Sequence, residues 1–164
     1  MTATLPQVSV EHHARLTRHV DQMPATGDMV GAAPLAELGP RVDEMSAFMT
    51  GLLIPHMDAT EQTLYPELER LLQNRHSMTP MRREHDEIRK LVADLVSRQH
   101  GLDQGRLQTG EALALRRVIF RLYALLKVHL AEEQLYLGII EQGVSAEGAE
   151  MLAAAMEHQG TAEF

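Results

Sequence analysis

Apolar residues recur every three to four positions along most of the chain and alternation is scarce, so the pattern predicts an all-helical fold. The first amphipathic run spans Ser9 to Met23 and stops before the breaker-rich stretch from Pro24 to Pro34. A long second run covers Pro40 to Gln73 and holds Pro55 and Pro66. Each proline removes an N–H and crowds the carbonyl four residues back, so a kink is expected at both. Thr79 and Pro80 read as an N-cap and first helical position, opening a third helix that ends near His100–Gly101. A fourth runs from Thr109 to Gln142 and stops at Gly143, and Ser145 caps a short fifth that ends near His158. Short connectors between the four main helices predict an up-down-up-down four-helix bundle with a short C-terminal fifth helix. No linker divides the chain, so one domain is expected over residues 1–164, with the bundle at about 9–142.

The inward stripes are not wholly apolar. On the fourth helix the stripe reads Leu115, Ile119, Leu122, Leu126, His129, Glu133, Tyr136, Ile140. The third gives Met81, His85, Ile88, Val92, Leu95, and the first gives Ser9, His13, Leu16, Val20, Met23. The second gives Met45, Met49, Leu52, His56, with Glu61 slightly over one turn later. Each main helix thus carries a histidine on its inward face. The helices also match in pairs: His13 to Val20 has the spacing of His85 to Val92, and HMDATEQTLYPEL parallels HLAEEQLYLGII. A pseudo-symmetric site with facing halves is expected.

Composition narrows the chemistry. The chain has 164 residues, nine histidines and no cysteine, which excludes disulfides, thiol catalysis, thiolate zinc sites and iron–sulfur clusters. Its formal net charge of −8 gains nothing from a phosphate backbone, so nucleic acid is not an expected partner. The start, MTATLPQVSV, lacks a basic and an apolar region, and no stretch approaches the ~18 apolar residues of a membrane span. A cytoplasmic protein without a membrane partner is the expectation.

A single inward histidine is usually a satisfied core residue, but four of them with two carboxylates are hard to explain separately. Burying unpaired carboxylates is costly, and a metal would accept lone pairs from all six groups. Four imidazoles and two glutamates exceed one tetrahedral zinc and suit two metals with the glutamates bridging. Nitrogen-plus-carboxylate ligation with open positions is a non-haem iron setting, manganese prefers more oxygen, and copper or zinc stay chemically open. No glutamate sits three residues before a histidine, which disfavours the ferritin-like pattern, and His-Glu-x-x-His is absent.

The segments EHHARL, LLIPHMDATEQTLYPEL, MRREHDEIRKLV and LYALLKVHLAEEQLYL together resemble the bacterial hemerythrin-like (HHE cation-binding) family. The resemblance runs from the first helix through the fourth. It implies a di-iron centre in a four-helix bundle, its two iron ions joined by an oxo or hydroxo bridge. It carries the ligand role onto His13, His56, Glu61, His85, His129 and Glu133, with the glutamates bridging. His12 competes with His13, which is preferred for its spacing to Leu16 and Val20.

Departures from the family pattern matter too. Arg89 stands where classical hemerythrins carry a further histidine, and Thr60 stands where members often carry glutamate. Glu61 lies ~140° round an ideal helix from His56, so a local bulge or distortion from Pro66 is needed to bring it inward. Arg89 is read as a surface group over a donor to bound peroxide. His19 is a candidate fifth nitrogen at the stripe's edge, and Tyr65 and Tyr136 are read as packing over outer donors or ligands. Loss of the fifth histidine favours hydrogen peroxide or irreversible O2 chemistry over O2 carriage. The expected function is a di-iron protein binding O2 or hydrogen peroxide, with catalase-like turnover. The alternative is a non-enzymatic iron or oxygen sensor or storage module whose partner binding depends on metal.

Overall fold

The structure, a computed structural model, describes residues 5–103 and 107–143, and among these every regular element is a helix. The expected fifth helix from Ser145 lies outside the described residues. The first helix spans Leu5–Met29 and the third spans Thr79–Asp103, while the fourth spans Thr109–Gly143. The second is one continuous helical run over 35–71. None is long and apolar enough to cross a membrane.

The first helix does not stop at Met23 as expected but passes through Pro24 to Met29. Packing overrides the proline here. Met23, Thr26 and Val30 are buried, and a Cβ on Gly27 would lie only 2.8 Å from Phe120 Cε2. That glycine lets the first helix lie close against the fourth. Gly31, at φ +81°, then takes the left-handed turn that glycine adopts without a Cβ penalty. The second helix starts at Leu35, with Pro34 as its N-cap, rather than at Pro40.

Pro55 and Pro66 act by a different distortion from a simple kink. Each is preceded by a π-helical turn, Met49–Leu53 and Thr60–Leu64. The Ile54 N–H donates to Met49 O and the Tyr65 N–H to Thr60 O, each five residues back. Widening the turn relieves the clash that proline makes with the preceding turn, and it inserts one extra residue into the helix. Every inward position from Tyr65 onward is thereby rotated.

The helices neighbour one another in a ring: first on fourth, fourth on third, third on second, second on first. Their buried apolar residues form two separate clusters. The larger includes Leu16, Val20, Leu53, Ile88 and Leu126, and the smaller includes Leu64, Leu68, Met81, Leu137 and Ile140. Between these clusters the stripes turn polar. On the second helix His56 and Thr60 separate Leu53 from Leu64; on the third His85 separates Met81 from Ile88. On the fourth His129 and Glu133 separate Leu126 from Leu137. Full burial of each apolar side chain contributes ~1.5–3 kcal/mol, so the two clusters hold the bundle while the polar layer works against it.

Candidate metal centre

Five of the six expected site residues are buried in this polar layer. His13, His56, His85, His129 and Glu133 are each 5% exposed or less. They fall into two groups.

In the first group, His13 and His56 converge on one carboxylate oxygen. Glu133 Oε2 lies 3.0 Å from His56 Nε2 and 3.2 Å from His13 Nε2. The three residues offer ligand atoms within 4.8 Å of one another, the spacing of a metal-binding set. The other carboxylate oxygen, Oε1, is buried without a hydrogen-bond partner. Burial alone would push the Glu133 carboxyl up. The neighbouring His56 and His13 outweigh it, holding the group well below its ordinary value. It is therefore a buried carboxylate with one oxygen bare. His12 sits behind this group, its Nε2 3.0 Å from His56 Nδ1. Burial, then the neighbouring His56 and His13, push His12 down to about 4, so it is neutral at pH 7 and can accept from His56.

The second group pairs two imidazoles. His85 Nε2 and His129 Nε2 lie 3.0 Å apart, and the Tyr65 hydroxyl is 3.0 Å from the same His85 nitrogen. Carboxylates hold the rings from behind: Glu61 Oε1 is 2.7 Å from His85 Nδ1, and Glu84 Oε2 is 2.9 Å from His129 Nδ1. A carboxylate accepts only, so both Nδ1 atoms carry the proton, and in neutral rings both Nε2 atoms then present lone pairs. The two Nε2 atoms face each other, with the Tyr65 hydroxyl beside the first. Burial and the nearby His129 push His85 down to about 4, which keeps it neutral.

Glu61 is thus not among the inward groups. Its side chain is 26% exposed and reaches His85 from the outer side, with Arg89 2.9 Å away. The π turn that would have brought it inward begins at Thr60, too late to rotate residue 61. The rotation falls instead on Tyr65, which is fully buried with its hydroxyl on a histidine, so it is more than packing. Tyr136 is partly buried against the smaller apolar cluster. Arg89 binds Asp58 and Glu61 at the surface, and His19 stacks on Phe48 at 4.5 Å. Glu84 was missed because it lies next to His85 in sequence yet serves His129 on another helix. Its only signal was a carboxylate beside an inward histidine.

These donors fit divalent or trivalent cations. Glu133 Oε1 and His13 Nε2 lack hydrogen-bond partners, and His85 Nε2 and His129 Nε2 meet at 3.0 Å; cations bound beside them would take these donors. The donors are imidazole nitrogens and hard oxygens, the set that suits iron.

A family model described as the hemerythrin HHE cation binding domain matches residues 7–137, most of the chain and all of the polar layer. No curated protein and no solved structure matches the chain.

Proposed function

The chain belongs to the hemerythrin HHE cation-binding family, and from that premise we propose that it is a non-haem di-iron protein that binds O2 or hydrogen peroxide and turns peroxide over. The observation that carries this reading is the bare oxygen of buried Glu133, set in a layer of four buried histidines. In this reading His13 and His56 would hold one iron and His85 and His129 the other, with Glu133 shared between them. Glu61, taken from sequence as a second bridge, becomes an outer partner that orients His85. Two bound irons would supply a redox pair for a small oxidant.

The up-down-up-down path of the helices belongs to the same reading. It is supported by the order of the layers: the second and fourth helices run from the larger apolar cluster to the smaller, and the third runs the opposite way. A groove of about 510 Å³ between the first and fourth helices, lined by Ala14, Thr17 and Ala131, reaches His13 and offers a small oxidant a way in.

Metal content and an optical spectrum before and after peroxide test the proposal. The expected result is two irons per chain and O2 evolution from peroxide, lost in His129→Ala. Protein that takes up no iron, with no thermal shift on anaerobic Fe(II) addition, would overturn it. A reversible oxygenated spectrum without turnover would move the reading to carriage or sensing.

A further inference from the structure

We propose that Tyr65 is itself a metal ligand, its phenol oxygen completing the half-site of His85 and His129. This rests on the di-iron reading above and deepens it by giving the second half-site an anionic donor of its own beside the shared Glu133.

The geometry is specific. Tyr65 is fully buried, its hydroxyl lies 3.0 Å from His85 Nε2, and that nitrogen lies 3.0 Å from His129 Nε2. Three donor atoms therefore meet while the back of each imidazole is committed to a carboxylate. No carboxylate enters from the second helix at this level. Thr60 donates its hydroxyl to Met57 O at 3.0 Å, and Glu61 stays outside.

The backbone explains how tyrosine reaches this position. Nine residues separate His56 and Tyr65, which on an ideal helix places them ~180° apart. The π turn over Thr60–Leu64 inserts one residue and removes ~100° of that, bringing Tyr65 to within ~80° of the His56 face. The ring is then clamped. It stacks against His85 at 5.4 Å between centroids, and the Arg82 guanidinium lies 5.3 Å from its centre while contacting Glu69.

The second half-site then has two nitrogens and a phenolate beside its share of the Glu133 carboxylate, and the first has two nitrogens and the same carboxylate. Ligation breaks the phenol O–H bond, forms the metal–oxygen bond and releases the proton to solvent, with no electron transferred. Phenolate is a hard anionic oxygen donor of the kind ferric iron takes from tyrosine in haem catalases.

The test uses the full chain, loaded anaerobically with Fe(II), assayed for metal and then oxidised with ferricyanide. The wild type is expected to show a visible phenolate-to-iron(III) charge-transfer band, with tyrosine ring modes enhanced in resonance Raman spectra excited within it. Tyr65→Phe should lose both signatures and bind one of its two irons more weakly, by at least the ~10–100-fold typical of losing an outer partner. Tyr136→Phe should keep them. A wild type that holds two irons and shows no such band overturns the Tyr65 assignment while leaving the di-iron reading intact, whether or not Tyr65→Phe folds. Retention of the band in Tyr65→Phe also overturns it, and a chain that takes up no iron overturns both.

Discussion

The two halves of the polar layer keep their negative charge in different places. In the half built on His13 and His56, the carboxylate of Glu133 is at the centre and fully buried. In the half built on His85 and His129, the carboxylates of Glu61 and Glu84 stand behind the rings, with side chains 26% and 23% exposed. The first arrangement presents charge directly to a cation. The second raises the basicity of the imidazoles and fixes which nitrogen faces inward. A glutamate near a histidine can therefore play either part, and the face it occupies decides which.

The sharpest way to break this comparison is to remove the central charge. Glu133→Gln should abolish retention of both irons through a desalting column, because both half-sites lean on that carboxylate; retention of even one would show that the halves are independent. In the wild type, saturation at a thousandfold excess over Kd should raise stability by about 4 kcal/mol, or roughly 10 °C in Tm, and scanning calorimetry reads it directly. Outer charges should matter less. Glu84→Ala and Glu61→Ala are each expected to weaken iron binding ~10–100-fold without abolishing it, as measured by chelator competition. Complete loss in Glu61→Ala would restore Glu61 as an inner ligand.

The metal-free protein should also show the difference through pH. The His85 ring titrates near 6.5 when unfolded and at about 4 in the fold, so between these values the unfolded chain binds the extra proton. Stability should thus rise with pH from about 4 to 6.5, by at most ~1.4 kcal/mol per pH unit from this ring, and be level above. Urea unfolding of metal-free protein across this range measures it, and His85→Asn should reduce the slope while leaving the part that His12, also pushed down to about 4, contributes. The smallest effect is expected from Arg89→Ala, which frees Glu61 at the surface without removing it. A change of a few-fold or less in iron affinity fits the ~0–1 kcal/mol of an exposed ion pair.

Much of the fold was legible because helical periodicity is local. The third and fourth helices begin at Thr79 and Thr109, within a residue of where the sequence places them, and the inward positions of His85, His129 and Glu133 follow from 3.6-residue spacing alone. The prolines were legible as distortions, but not as π turns, since a missing N–H allows either a kink or a wider turn. Pro24 misled for the same reason: its local cost was outweighed by the packing of Met23, Gly27 and Val30.

The site divides along the same line. From the sequence alone came the helical period, the histidine on each inward stripe and the i, i+4 pairing of His129 with Glu133, all properties of one helix at a time. Tertiary structure alone decided that Glu61 stays outside, that Glu84 serves a histidine on another helix and that Tyr65 turns inward. Each of those depends on a contact between helices or on a one-residue insertion in the turn, and neither leaves a period for the chain to display.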